Sequence, residues 1–192
     1  MRIDFPPLVR RLGIGVPLAL SLGLCLVATG KASPQNRAAI AYRVPDGWVK
    51  ETPMSRMRYA QFKLPTHLPE HADAELAVYY FGGGGGSARA NVERWISQMK
   101  QPDSSAAHRR AEVQESDIRG MKATVLKLSG IYRRPIPPRM QEIEEKPGYR
   151  MVAAVLETAA GPFFFKLIGP EPTVKQWENS FQTFLESIEL QN

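Results

Sequence analysis

The chain has 192 residues, a formal charge of +6, 43% apolar and 23% charged residues, and one cysteine, Cys25. That suits one domain plus a processing segment, with enough chain to bury a core without a metal or disulfide staple. It excludes a strongly basic nucleic-acid binder: removing residues 1–30 takes away Arg2, Arg10, Arg11 and Asp4, a net +2, and leaves +4, which permits only weak attraction to an anionic membrane surface.

The chain opens with a basic stretch (Arg2, Arg10, Arg11), a nearly continuous apolar run over residues 12–27 broken by Pro17, and then small residues, Ala28-Thr29-Gly30 and Gly30-Lys31-Ala32. This is the layout of a secretory signal, cut after Gly30 or Ala32. Residues 1–32 are therefore expected to be a signal peptide, 33–38 a polar linker and 39–190 a single domain exported to the periplasm or cell envelope. The apolar run is shorter than the roughly 20 residues of a spanning helix, so an uncleaved anchor is the alternative reading. Cys25 follows Leu24 where a lipidated cysteine wants a small residue, and it reads as part of the apolar run. A mature domain without it has no thiol for a disulfide, a nucleophile or a zinc ligand.

Residues 39–44 read as extended and stop at the turn Pro45-Asp46-Gly47, followed by Trp48. Residues 58–64 alternate, with Ala60, Phe62 and Leu64 on one side, and end at Pro65. A polar loop over 66–73 precedes a β-rich run, 74–81, which stops at five glycines, 82–86. Ser87 is placed to cap a helix over 88–100 whose stripe is Val92, Trp95, Ile96 and Met99. After a loop at 102–110, strands at 112–118 and 122–132 flank an Arg119-Gly120 hairpin turn. Residues 133–148 carry four prolines and read as a long loop. Strands at 149–157 and 163–168 form a second hairpin around Ala160-Gly161-Pro162. Thr173 with Gln176 reads as a capping box opening a helix striped by Val174, Trp177, Phe181, Phe184, Leu185 and Ile188. Two helices and six or seven strands, many directly consecutive, predict an α+β fold with an antiparallel-dominated central sheet flanked by helices.

The order of these elements, with Val44-Pro45-Asp46-Gly47-Trp48 at the start, Phe62-Lys63-Leu64-Pro65 after it and Ser180-Phe181 in the closing helix, resembles the PsbP-like superfamily, which includes the exported proteins DcrB and LpqN. The resemblance implies a sandwich of an antiparallel sheet between helical layers, and scaffold or binding roles rather than a common enzyme activity. A second likeness, to uncharacterised bacterial exported proteins, rests on the glycine run before Asn91, Arg94-Trp95, Gln98, Phe164-Phe165-Lys166-Leu167, Gly169-Pro170 and Thr173-Val174. No site motif is carried over from either.

Several strings imitate catalytic motifs. His67-Leu68-Pro69-Glu70-His71 has the order of an inverted zinc-protease signature, but that chemistry needs both histidines on one helical face, and Pro69 opposes a helix there. A zinc-dependent envelope hydrolase using His67 and His71 is therefore the alternative, not the expectation. The glycine run sits where phosphate loops sit, yet Ser87 follows with no lysine before it. There is no G-x-S-x-G elbow, His108 lies in a basic loop, and Glu142, Glu144 and Glu145 read as a solvated cluster. The aromatic residues read as core. The expectation is a non-enzymatic binding or interaction module without cofactor or metal. It would meet a protein or small-molecule partner through Gly84, Gly85, Ser87, Arg89, Arg133 and Arg134; a membrane-surface structural protein keeping its anchor is the remaining alternative.

Overall fold

The computed structural model describes residues 39–191; the signal segment and linker expected over 1–38 lie outside the described residues. In chain order the elements are β1 (Ala39–Ala41), β2 (Val49–Glu51), β3 (Arg58–Leu64), β4 (Ala74–Tyr80), α1 (Ala88–Ile96), β5 (Met99–Lys100), β6 (Glu112–Ile118), β7 (Met121–Ile136), β8 (Arg139–Leu156), β9 (Phe163–Pro170), α2 (Glu171–Glu186) and β10 (Glu189–Gln191). The main sheet runs β2-β3-β4-β9-β8-β7-β5, with β6 also paired to β7, and β1 pairs separately with β10. Every pairing is antiparallel. The expected α+β class with a helix-flanked antiparallel sheet is what the chain forms, and the main sheet has eight strands rather than six or seven.

Alternation along the central strands sends apolar side chains to both faces, so both need cover. On one face Phe62, Leu76, Phe163 and Phe165 lie under Val174, Phe181, Phe184 and Leu185 of α2. On the other, Leu126, Leu128, Met151, Val155 and Phe164 lie under Val92, Trp95 and Ile96 of α1. With nine residues, α1 is only about 13 Å long. It packs on β7 and β8 and leaves much of β3, β4 and β9 on that face uncovered.

Four local expectations are corrected. The segment 133–148 is not a loop: β7 and β8 continue as a paired arm with Tyr132 opposite Lys146, Arg133 opposite Glu145 and Arg134 opposite Glu144. Pro147 and Gly148 fall in the bulge where the register moves from Gly130–Tyr149 to Tyr132–Lys146, a position where a missing N–H is tolerated. Opposite charges facing each other across the arm favour pairing over a solvated cluster, and Arg134–Glu144 (3.6 Å) and Lys146–Glu144 (3.4 Å) are ion pairs.

The first helix ends at Ile96 rather than near Lys100. The Ser97 hydroxyl donates to the Arg94 carbonyl (2.7 Å), and buried Met99 belongs to β5. Thr173 is not a cap. Glu171 and Pro172 already form the first turn of α2, where proline is favoured, and buried Thr173 donates to the Ala72 carbonyl (3.0 Å). Gln176, read as its box partner, accepts from the His67 N–H (3.1 Å) and donates to the Pro65 carbonyl (3.2 Å), holding the 65–73 loop on α2. The closing helix ends at Glu186, the extended stretch expected over 39–44 supplies β1, and β2, β5 and β10 are short elements that the sequence pattern does not show. The Ser87 cap, accepting from Ala90 N–H (3.2 Å), is as expected. So is the Arg119-Gly120 turn, whose residues both take positive φ (54° and 80°) as a tight hairpin requires.

Candidate functional site

The uncovered part of the α1 face holds a lysine in the middle of a sheet. Along β9, Phe164, Lys166 and Ile168 point to this side, and the strand register places Ala77 of β4 and Ala153 of β8 directly beside Lys166. Beside Lys166 lies a hollow of about 450 Å³, within the usual range for small-molecule sites. Its walls are Tyr79, Phe81, Trp95 and Phe164, with Met57 and Arg94 at the rim and Gly85 beside the rings.

Lys166 Nζ donates to Gln98 Oε1 (2.5 Å) and to the Tyr132 hydroxyl (3.2 Å), and it lies 4.8 Å from the centre of the Tyr132 ring. Burial disfavours the charged amine and pushes its pKa down to about 8; Arg58 and Arg94 push the same way, and Glu75 opposes them. Burial also raises the Tyr132 phenol, so its hydroxyl stays protonated. Glu75 is engaged by Arg58 (3.0 Å), which also donates to Gln61 Oε1 (2.6 Å). Gln61 in turn accepts from the Met54 N–H (3.0 Å) and so positions the loop that carries exposed Met54 and Met57. Beside this pocket along the same face is a smaller hollow of about 230 Å³, lined by Arg58, Asp73, Glu75, Arg134, Lys146 and Tyr149.

The glycine run is explained by the backbone. Gly82, Gly83, Gly85 and Gly86 all have φ between 60° and 91°, where other residues are strained. A Cβ on Gly85 would stand 2.7 Å from carbons of both Phe81 and Phe164. Buried Asn91 fixes the loop to α1 by donating to the carbonyls of Gly85 and Ser87 (2.9 Å each), and Arg94 donates to Asn91 Oδ1. The loop thus forms one wall of the apolar pocket.

The six residues expected to form a contact surface are distributed as follows. Gly85 borders the Lys166 pocket, Gly84 lies in the adjoining turn with its N–H on the Phe81 carbonyl (3.1 Å), and Ser87 caps α1. Arg134 lines the neighbouring polar hollow. Arg89 lines a separate hollow with Glu93 and His108. Arg133 is adjacent to Arg134 in a strand and therefore points to the other face; its N–H donates to the Gln98 carbonyl (2.8 Å). Of these six, Gly85 and Arg134 are brought to one surface.

His67 and His71 lie in a loop rather than on a helix, with the His67 ring edge-on to Trp177 (5.6 Å) and His71 3.8 Å from Glu70. Among the described residues no three His, Cys, Asp or Glu side chains converge as metal ligands. Lys166, Tyr132, Gln98 and Arg94 were not singled out as a site from the sequence. The available signal was a lysine inside the otherwise apolar run Phe163–Ile168, since an unpaired charge is rarely placed in a buried strand. The stretches that carry the second likeness (the glycine run, Asn91, Arg94-Trp95, Gln98 and Phe164 to Leu167) surround this same pocket.

No protein family and no curated protein matches the chain. Among solved structures it is similar to a Pseudomonas aeruginosa protein of unknown function described as a candidate regulator, at 13% identity and a TM-score of 0.47 over 81% of this chain and 99% of that one. It is also similar to the cyanobacterial PsbP protein, CyanoP, of Synechocystis sp. PCC 6803, at 15% identity and a TM-score of 0.45 over 85% of this chain and 99% of the other.

Proposed function

We propose that this chain is a non-enzymatic binding module that holds a small apolar molecule in the Lys166 pocket. The observation that carries this reading is the pocket itself: four aromatic walls around one half-buried amine, on a sheet face that α1 is too short to cover. Binding sites of this kind combine apolar walls with few polar groups. A role in chemistry has less support, because the Lys166 amine is engaged by Gln98 Oε1 and the Tyr132 hydroxyl and Glu75 is held by Arg58 rather than free to act as a base. Met57 at the rim gives an adaptable apolar border.

Uptake of the neutral apolar dye Nile red by the purified protein tests the reading. Saturable one-to-one uptake is expected. Met57→Glu, a change at an exposed rim position, is expected to weaken it about tenfold, or roughly 1.4 kcal/mol, with an unchanged melting temperature. Uptake indifferent to Met57→Glu contradicts the proposal.

The same proposal places the module outside the cytoplasm, on the n-region, apolar-run and small-residue order of residues 1–32. Among the described residues no helix is long and apolar enough to cross a membrane. The mass of the chain in the envelope fraction decides this point: a start at Lys31 or Ser33 is expected, and an intact Met1 contradicts cleavage.

A further inference from the structure

We propose that the Lys166 pocket selects an anion, a small ring-containing carboxylate whose head is held by the Lys166 amine and whose body lies against Phe164 and Trp95. This rests on the binding reading above and names the chemistry of its ligand. The first support is a charge imbalance. Arg58 has Glu75, Arg150 and Lys127 share Glu178, Arg134 and Lys146 share Glu144, and Lys100 has Glu145. Among the described residues the other cations without a carboxylate within 4.0 Å, Arg94 included, are exposed, whereas Lys166 is withdrawn from solvent; the partners of Lys166 and Arg94 are the neutral Gln98, Tyr132 and Asn91.

The second support is the count of donors. An ammonium has three N–H groups, and the protein provides acceptors for two of them. Gln98 accepts through Oε1, which leaves its amide N–H groups to donate. The Tyr132 oxygen accepts from Lys166, which leaves its own proton to donate. With Arg94 at the rim, the pocket therefore presents donors and a positive charge, and no carboxylate is among its lining residues. A charged amine that is held half-buried without a counter-ion is costly, and a carboxylate oxygen would remove that cost with charge-assisted hydrogen bonds.

One half-buried amine suits a single negative charge; a phosphate dianion would have to shed more water against the same lone amine. The aromatic walls favour a ring over a flexible chain, since rings gain from stacked or edge contacts with Tyr79, Phe81 and Trp95.

The experiment compares three probes of one shape on the purified protein: 2-naphthoate, 2-naphthylmethanol and 2-naphthylmethylamine. At pH 7 naphthoate is expected to bind at least tenfold more tightly than the alcohol, and the amine most weakly. Lys166→Met is expected to bring naphthoate and the alcohol to equal affinity, and Lys166→Arg to preserve the preference. Equal affinities in the unmodified protein, or a naphthoate preference that survives Lys166→Met, overturn the inference while leaving the pocket as a site for neutral molecules. Failure of all three probes to bind overturns the binding reading with it.

Discussion

Lys166→Met is expected to make the protein more stable at pH 7, by about 2 kcal/mol, at the same time as it removes the preference for a carboxylate. The pKa of Lys166 in the folded chain is near 8, against 10.5 for a free lysine. Each unit corresponds to about 1.4 kcal/mol, and the contact with solvent at the pocket mouth reduces the full value. The sign follows from proton counts. Between about pH 8 and 10.5 the unfolded chain holds more protons at this residue than the folded chain, so stability rises with pH across that window. Below pH 8 both states are protonated and the whole penalty of burying the charge is present. Methionine has similar length and no charge, so the variant should exceed the parent most at pH 7 and converge with it towards pH 10.5. Denaturant unfolding of both proteins at the two pH values checks this. A variant less stable than the parent at pH 7 would show that the amine is a structural partner of Gln98 and Tyr132 rather than a costly group kept for binding.

Phe184→Ala is expected to have the largest effect on stability, a loss of about 4 kcal/mol. Phe184 is fully buried, and its ring centre lies 5.2 Å from both Tyr42 and Trp48, 5.8 Å from Phe62 and 6.1 Å from Phe165. It therefore joins the segment after β1, the turn before β2, strands β3 and β9, and α2, and no neighbouring element can move into the gap without losing its own contacts. Phe81→Ala is a useful comparison, because 37% of Phe81 is exposed and it borders the pocket; its loss should be under about 1.5 kcal/mol. Thermal or denaturant melting of the pair measures both. Comparable losses would mean that the α2 face is not the principal core.

The parts of this fold that follow from local pattern are readable in the sequence. Phe62 and Leu64 alternate with Gln61 and Lys63, Ser87 precedes a helical stripe, and Arg119-Gly120 separates two β-rich runs; each depends on residues a few positions apart. The arm of β7 and β8 was hidden because its stability comes from Arg133, Arg134 and Tyr132 facing Glu145, Glu144 and Lys146, a relation between strands that prolines mask in one strand read alone. Thr173 and Gln176 have the spacing of a cap, but Glu171 and Pro172 begin the helix before them, and short-range spacing does not distinguish the two starts.

The site was legible only at its edge. The glycine run marks one wall, and Gly85 does border the pocket. What makes the pocket is the meeting of Tyr79 of β4, Phe164 and Lys166 of β9 and Trp95 of α1, and strand order and helix placement alone bring those residues together. Arg89 beside the glycine run and Arg133 in the proline-containing segment are basic residues that a loop-like sequence points to. Lys166 matters because it is withdrawn from water with no carboxylate in direct contact.

The dependence of the naphthoate-to-naphthylmethanol affinity ratio on pH tests this account most directly, because a carboxylate is ionised throughout pH 6 to 10 and the alcohol is neutral throughout. The protonation of Lys166 is then the variable that the pocket itself supplies, with Glu75 held by Arg58. The ratio is expected to be constant from pH 6 to about 7.5, to fall as the amine with a pKa near 8 loses its proton, and to be flat and near one in Lys166→Met. A ratio in the unmodified protein that stays constant from pH 6 to 10 would contradict the claim that this lysine holds the anion.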